Sequence, residues 1–351
     1  MPPPTPLDVL VPTIPLHHVW PFARTRAYTV PYRAWDDKTV REATIVLPSG
    51  WDRSHQPHPL PLVISPHGRN NFGWGNAAHY WQELPAEGPF ALVCPDGLSR
   101  AHDKASDPFD QPPHDPSLFT YGHPRWIDDL ARMPKIVQAT LPWLHIDLER
   151  IYVLGSSMGG QETLLLAARY PRALSGGTGR LAGAAAFDSP CNLVAQCAYL
   201  TDRPVVHGAD PHGVAARMIE EINTKPASLR GFRQSATFFN AKLERHMTIA
   251  ELLNKLPRNQ ARWNERSPLS YVDRLARLPF PLRLYWSSHD TIVGNQGTNQ
   301  TGKLYKQIKA KNPRAKVTQV KGLWAHSCEF VPGDCLSDAL RAFGLIDTTD
   351  V

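Results

Sequence analysis

Short apolar runs recur along the chain, each bounded by Gly, Pro or polar residues. The runs at residues 60–65, 90–94 and 181–187 show no polar alternation, which is typical of strands buried on both faces of a sheet. Segments with helical spacing lie between such runs, for example at residues 76–84 and 127–140. This alternation predicts an α/β protein, with a mostly parallel central sheet flanked by helices.

The remaining elements follow the same pattern. Further strands are predicted at residues 26–32, 40–47, 150–154, 282–286 and 316–320, and further helices at 161–170, 302–310 and 335–343. Pro134 is expected to kink the helix at 127–140 or to mark its first turn.

The domain organisation predicted from this pattern is simple. Residues 1–25 form a proline-rich N-terminal arm, and residues 26–351 form a single domain. Residues 191–270 interrupt the strand–helix alternation with helix-like segments, so they are interpreted as a helical insertion before the strand at 282–286. They fit equally well as two or three helices packed on the flank of the sheet.

Composition excludes some function classes. The 351 residues are 42% hydrophobic, which suffices for a substantial core, and no apolar run reaches the ~18 residues of a membrane-spanning helix. The net charge is +6, but the charges are scattered, so no nucleic-acid partner is predicted.

The sequence indicates the cellular compartment of the protein less clearly. The N-terminus lacks a basic region followed by an apolar one, which favours a cytoplasmic protein, or a secreted one if a leader has been removed. Cys191/Cys197 and Cys328/Cys335 are close enough in sequence to form local disulfides, which would imply an oxidising compartment, although spacing alone does not establish pairing.

The motif with the clearest chemistry is Gly-x-Ser-x-Gly at residues 155–159. It lies between an apolar strand and an apolar helix, where a sharp turn exposes a serine hydroxyl at the top of a sheet. Gly155 and Gly159 allow the two backbones to approach closely. Ser157 is therefore the predicted nucleophile.

A serine nucleophile needs a base and an acid that orients the base. In this architecture they follow later strands in the order Ser, acid, His. Asp290 follows the strand at 282–286 and His326 follows the last strand, so they are the predicted acid and base. Asp188, directly after the strand at 181–187, is the alternative acid, or else a carboxylate that stabilises its loop.

The oxyanion of a tetrahedral intermediate needs preorganised donors. The backbone N–H of Met158, next to the nucleophile, is one candidate. The backbone N–H of Arg69, in the His-Gly loop after the strand at 60–65, is the other. Asn70 and Trp324 are candidate substrate-binding residues, since Asn70 adjoins that loop and Trp324 lies two residues before His326.

These motifs resemble the α/β-hydrolase superfamily, over residues 26–343. The segment at 146–153 leading into Gly-Ser-Ser-Met-Gly-Gly, and the Trp-Asn-Glu-Arg-Ser-Pro-Leu segment at 263–269, are similar to the esterase and prolyl-oligopeptidase-like branch. The resemblance implies a Ser157–Asp290–His326 triad and no metal or organic cofactor. The chain departs from the branch in lacking a propeller domain and the lipase His-Gly-Gly-Gly motif.

The function predicted from these residues is hydrolysis of carboxylic esters, of small molecules or polymers, through an acyl-enzyme. A serine peptidase or amidase with the same triad and a non-catalytic binding protein on the same fold are the alternatives. Two weaker signals are discounted. The stretch at 297–303 lacks the Ser or Thr of a phosphate-binding loop, and His207, Asp210 and His212 lack metal-site spacing.

Overall fold

The computed structural model describes residues 14–15, 20–34, 40–69, 71–97, 121–174, 177, 179–203, 214–215, 218–219, 222, 260–327 and 334–347. Nine strands in these residues form one sheet: β1 Ile14–Pro15, β2 Thr25–Arg33, β3 Val40–Pro48, β4 Leu60–Ile64, β5 Ala91–Pro95, β6 Ile146–Ser156, β7 Leu181–Phe187, β8 Leu282–Ser287 and β9 Val317–Gly322.

The strand order is β1-β2-β3-β5-β4-β6-β7-β8-β9. The first three pairings are antiparallel, and the six strands from β5 to β9 in this order are mutually parallel. The predicted mostly parallel sheet is confirmed. The order reverses around β4, which has β5 on one side and β6 on the other, and ligands of open α/β sheets bind beyond the carboxyl ends of the strands at such a point.

The helices described run in chain order between these strands. They are α1 Gly73–Asn76, α2 Leu84–Glu87, α3 Pro124–Thr140, α4 Met158–Arg169, α5 Leu193–Asp202, α6 Gln260–Glu265, α7 Val272–Leu275, α8 Gln296–Asn299, α9 Thr301–Lys311 and α10 Asp334–Ala342. A π-helical turn, Ala77–Trp81, follows α1, and a 3₁₀ turn, Pro268–Tyr271, precedes α7.

Both faces of the sheet are buried, each in its own apolar layer. Ile64 of β4 packs in the layer that includes α3, α4 and α9, whereas its neighbour Val63 packs in the layer that includes α2 and α10. Successive strand residues point to opposite faces, which explains why β4 is apolar throughout rather than alternating.

Two helix predictions need correction. Pro134 does not mark the first turn of its helix, because α3 begins at Pro124 and continues past Pro134. The single helix predicted at 76–84 is instead α1, the π-helical turn and the start of α2. There Asn76 and Trp81 both donate side-chain hydrogen bonds to the buried Ser65 hydroxyl, a tertiary contact that local spacing does not reveal.

The predicted insertion at 191–270 is described only in part. Its first and last segments are helical, as α5 and α6. Most of the stretch between them, including His207, Asp210 and His212, lies outside the described residues, so the domain boundaries stay predictions. Among the helices described, none has the length and apolar character needed to cross a bilayer.

Cys191 and Cys197 are free thiols, so the disulfide considered between them is absent. The Cys191 thiol lies beside the Ser189 carbonyl and the Thr301 hydroxyl, and that of Cys197 beside the Ala215 carbonyl. Burial raises the pKa of both thiols to about 12. Cys328 lies outside the described residues, so the second pairing is untested.

Candidate active site

Ser157 lies on a sharp turn between β6 and α4 with a strained backbone. Its φ is 57° and its ψ is −123°, a region that residues with a side chain rarely adopt. The turn is closely packed, since a Cβ on Gly159 would lie 2.2 Å from the Pro66 carbonyl oxygen and one on Gly155 would lie 2.5 Å from the Gly159 oxygen. Glycine is therefore required at both positions, and the sharp strand–turn–helix expected around Ser157 is present.

A chain of hydrogen bonds links the three predicted triad residues. Ser157 Oγ lies 2.9 Å from His326 Nε2, and His326 Nδ1 lies 2.9 Å from Asp290 Oδ2. A carboxylate only accepts hydrogen bonds, so Nδ1 carries the proton and Nε2 is left to accept the serine proton. The geometry can thus activate the hydroxyl, while the catalytic roles themselves remain predictions.

Asp290 is held rigidly by its own loop. Its Oδ1 accepts the backbone N–H groups of Ile292, at 2.8 Å, and Val293, at 2.9 Å. Its Oδ2, the oxygen that faces His326, also accepts a hydrogen bond from the buried Gln296 amide at 3.1 Å. The carboxylate is fully buried, so these donors fix the direction in which it meets the imidazole.

Asp188, the alternative acid, does not take the position of the acid. Its Oδ1 accepts the Ser287 N–H at 2.9 Å, and its Oδ2 accepts the indole N–H of Trp324 at 3.0 Å and the backbone N–H of Ser327 at 3.1 Å. Burial raises the pKa of this carboxyl, and the nearby Asp290 charge raises it further.

The loop that carries His326 is fixed at several points. The Ser156 hydroxyl, next to Ser157, donates to the Ser327 hydroxyl at 2.7 Å, and the Ser287 hydroxyl donates to the Trp324 carbonyl. Ser327 has a φ of 60°, a left-handed conformation that turns the chain directly after His326. His326 is therefore positioned by the hydrogen bonds of its neighbours in sequence as well as by Asp290.

The loop after β4 lies against Ser157. A Cβ on Gly68 would be 3.8 Å from the Ser157 Cβ. The Gly97 N–H donates to His67 Nε2 at 2.9 Å, so His67 Nδ1 carries the proton and donates to the Gly68 carbonyl at 2.8 Å. In a trans peptide the N–H points away from the carbonyl, so His67 directs the Arg69 N–H to the side opposite its own ring.

The predicted oxyanion and substrate-binding residues are described only in part by the structure. Met158 is the first residue of α4, where backbone N–H groups point out of the helix end. The Trp324 indole is half-buried and directed at Asp188, so its substrate contact stays a prediction, as do the oxyanion roles of Met158 and Arg69. Asn70 lies outside the described residues.

Asp188, Asp290 and His326 also form the one group among the described residues with the composition of a metal site. Their ligand atoms lie within 4.8 Å of one another. Each carboxylate oxygen already accepts at least one N–H donor, however, which accounts for the cluster as a hydrogen-bonded network.

Known structures resemble the overall fold of this chain. A 1.00-probability structural match is an acetyl xylan esterase from Paenibacillus sp. R4, with a TM-score of 0.55 at 16% identity, over 97% of this chain and 89% of that one. A second, described as a "putative hydrolase" from Legionella pneumophila, has a TM-score of 0.62 at 14% identity, over 98% and 100%.

The chain has the α/β-hydrolase fold. A third similar structure, the acylaminoacyl peptidase from Pyrococcus horikoshii, has a TM-score of 0.55 at 13% identity over 88% of this chain. This chain spans only 39% of that peptidase.

In sequence, residues 38–176 match a family described as "Putative esterase". This part of the α/β-hydrolase fold includes Gly68 and Ser157 but ends before Asp290 and His326. No curated protein matches the chain.

Several site residues were missed by sequence reasoning. Gln296 donates to Asp290 from six residues further along the chain, and Ser156 donates to Ser327, in the His326 loop, across 171 residues. Polar residues of these types are common in loops, and no local pattern distinguishes them. For His67, the adjacent Gly68 offered a signal, because a buried imidazole beside an oxyanion loop can orient its peptide.

Proposed function

We propose that the chain is a serine hydrolase that cleaves carboxylic esters, with Ser157 as nucleophile, His326 as general base and Asp290 as the acid. The observation that carries the proposal is the continuous hydrogen-bond chain from the Ser157 hydroxyl through His326 to Asp290, with both distances 2.9 Å. The match of residues 38–176 to an esterase family supports ester substrates.

The first half of the reaction acylates the serine. Ser157 Oγ attacks the ester carbonyl as His326 Nε2 takes its proton, and Asp290 stabilises the imidazolium through Nδ1. The negative charge moves to the carbonyl oxygen, where the backbone N–H groups of Met158 and Arg69 donate hydrogen bonds. The carbonyl then re-forms as the bond to the alcohol breaks, and His326 gives its proton to the leaving alcohol.

The second half repeats these steps with water. His326 takes a proton from a water molecule, which attacks the acyl-enzyme through a second oxyanion intermediate. Ser157 leaves with the proton returned by His326, which releases the carboxylic acid. The strained backbone at Ser157 holds its Oγ beside His326 Nε2, where the oxygen can give up its proton in the first half and regain one in the second.

The test is a panel of chromogenic esters that differ in acyl chain length and aromaticity. Wild type is expected to hydrolyse at least the short-chain esters, and Ser157→Ala should lose at least about 10³-fold in kcat. Ser54→Ala, a change of an exposed serine bonded only to its own turn, is the matched control and should keep full activity. Full turnover by Ser157→Ala would refute the proposal.

Amide or peptide cleavage is the second candidate, since an acylaminoacyl peptidase is among the similar structures. Amides have a poorer leaving group, so the same triad needs closer positioning of the substrate around the leaving nitrogen. Comparing kcat/KM for an ester and the matching anilide separates the two. A ratio well above that of the uncatalysed reactions favours the esterase, and a preference for the anilide favours the peptidase.

A further inference from the structure

A second buried carboxylate lies beside the proposed triad and takes no part in the steps above. Asp188 has no exposed surface and a φ of 42°, another left-handed conformation at the end of β7. It accepts hydrogen bonds from three N–H groups, that of Ser287 at the end of β8 and those of Trp324 and Ser327 in the His326 loop. These partners belong to the beginning of the acid loop and to both sides of the base.

We propose that Asp188 is a positioning residue for His326. It fixes the loop that carries His326 relative to the end of β8, which leads to Asp290, and it adds a second negative charge beside the imidazole. The inference rests on the proposed function. One oxygen, Oδ2, accepts from the Trp324 indole, two residues before His326, and from the Ser327 backbone N–H, one residue after it, so the loop around the base is held on both sides. The other oxygen binds the end of β8, three residues before Asp290.

The partners of Asp188 favour its charged form. All three hydrogen bonds are donated to the carboxylate, and none of them offers an acceptor for a carboxyl proton. Two titratable groups among the described residues act on it most strongly, Asp290 and His326. A carboxylate oxygen of Asp188 lies within 4.8 Å of a carboxylate oxygen of Asp290 and of a ring nitrogen of His326. An imidazolium that forms on His326 therefore has two carboxylates nearby rather than one.

This arrangement explains why Asp188 does not replace Asp290. Both Asp188 oxygens are already engaged with N–H donors of fixed backbone or of a packed indole. The Trp324 ring packs closely against Gly322, where a Cβ would lie 1.8 Å from a ring carbon. Asp188 therefore positions His326 by binding its neighbours Trp324 and Ser327, whereas Asp290 binds the ring nitrogen Nδ1 of His326 directly.

Two variants separate the effect of the Asp188 negative charge from that of its hydrogen bonds to the His326 loop. Asp188→Asn keeps the shape, but its NH₂ group cannot accept, so it loses the charge and at least one hydrogen bond. Trp324→Phe keeps the charge and the ring and removes a single donor. Asp273→Asn, a change of an exposed carboxylate on α7 paired with Lys311, is the control.

The experiment measures kcat, KM and the pH profile of ester hydrolysis, together with the rate at which a fluorophosphonate labels Ser157. In labelling, the serine oxygen displaces fluoride and its proton passes to His326, so the rate reports the base without depending on the ester chosen. Asp188→Asn is expected to lower kcat and the labelling rate about 10- to 100-fold with KM within about threefold. The acid limb of its kcat/KM profile should move to lower pH by up to about one unit, since the imidazolium loses a nearby negative charge.

Trp324→Phe is expected to lower both rates about 3- to 10-fold without moving the acid limb. The double variant should lose less than the product of the two single losses, because both changes remove the same contact. Asp273→Asn should match wild type in every measurement.

The proposal is overturned if Asp188→Asn folds and keeps wild-type rates and an unmoved acid limb. If Asp188→Asn does not fold, Trp324→Phe decides, and rates within about twofold of wild type would overturn the positioning role. A wild-type protein that neither hydrolyses esters nor labels at Ser157 would instead refute the proposed function itself.

Discussion

At the residue scale, the site contains two buried aspartates with different partners. Asp290 binds the imidazole of His326 directly, whereas Asp188 binds the backbone and the indole on either side of it. Asp188 follows β7 without a spacer, while Asp290 lies three residues beyond the end of β8. That extra length lets the Asp290 loop turn back, so that its carboxylate points at Nδ1.

Asp290→Asn tests the assignment of the acid. An amide can present its NH₂ group to Nδ1, which would favour the imidazole tautomer with the proton on Nε2, the form unable to accept from Ser157. We expect kcat to fall about 10³- to 10⁴-fold, with little change in the thermal midpoint of unfolding. Asp273→Asn serves as the control, and a kcat for Asp290→Asn within about tenfold of wild type would contradict the assignment.

The sequence was sufficient to propose Ser157, His326 and Asp290. Ser157 and Asp290 follow strands recognisable from their apolar runs, and His326 follows the last predicted strand in the order Ser, acid, His. Sequence left Asp188 as an alternative acid, since both aspartates follow parallel strands that end at the same edge. Only the direction of each loop decides which carboxylate meets the ring. Loop direction depends on contacts such as Gln296 with Asp290, which join residues of different loops and helices.

At the element scale, the unit that matters is the turn from β6 into α4 and its contact with the loop after β4. Gly159 of α4 packs directly on the Pro66 carbonyl, and this contact brings the His67–Arg69 loop alongside Ser157. The nucleophile and the proposed oxyanion donors are thus placed by one close approach of two backbones.

Gly159→Ala is expected to push these two elements apart, because its Cβ would lie 2.2 Å from a backbone oxygen that cannot rotate away. A displacement of about 1 Å at a catalytic centre costs about 10²-fold in rate, so kcat should fall by at least that factor and the melting temperature should drop. Gly50→Ala, at a site with nothing within 4 Å of the added Cβ, is the matched control. If Gly159→Ala keeps the wild-type kcat and melting temperature, the contact between Gly159 and the Pro66 carbonyl does not determine the position of the loop beside Ser157.

Strands were easier to predict than the helices near α1. Strands buried on both faces are continuous apolar runs, and β4, β5 and β7 have this pattern over their whole length. The π-helical turn after α1 depends instead on Trp81 reaching the buried Ser65 hydroxyl. Such a contact overrides local helical spacing and cannot be read from neighbouring residues.

At the scale of the whole molecule, a charged cluster away from Ser157 is buried between a helix and the sheet. Asp129 of α3 lies between Arg41 of β3 and Arg132, with N–O distances of 2.9 and 2.8 Å. Asp129 is completely buried, and Arg41 nearly so. The cluster therefore links a helix to the antiparallel side of the sheet.

Asp129→Asn should be strongly destabilising, because it leaves two buried guanidinium groups without their shared negative charge. Removing one partner of a buried ion pair costs about 3–5 kcal/mol, so the free energy of unfolding in urea should fall by about that amount. Asp273→Asn, which removes the exposed pair with Lys311, should leave the urea midpoint unchanged. Equal midpoints for the two variants would show that the buried cluster contributes little.

The cysteines give a second test of the whole fold. Because burial raises the pKa of Cys191 and Cys197 to about 12, both should stay protonated and unreactive toward iodoacetamide at pH 8 in the native protein. Both should become alkylated in denaturant without any reductant, since neither is in a disulfide with the other. Peptide mass spectrometry distinguishes these two sites from the remaining cysteines. A peptide in which Cys191 is bonded to Cys197 would contradict the packing described here.

The proposed mechanism requires a covalent acyl intermediate on Ser157. To detect it, the turnover of a short-chain nitrophenyl ester is quenched in acid and the adduct is mapped by peptide mass spectrometry. We expect an acyl group on Ser157 in the wild-type protein and neither adduct nor turnover in Ser157→Ala. An acyl group on a different residue, or undiminished turnover in Ser157→Ala, would contradict it.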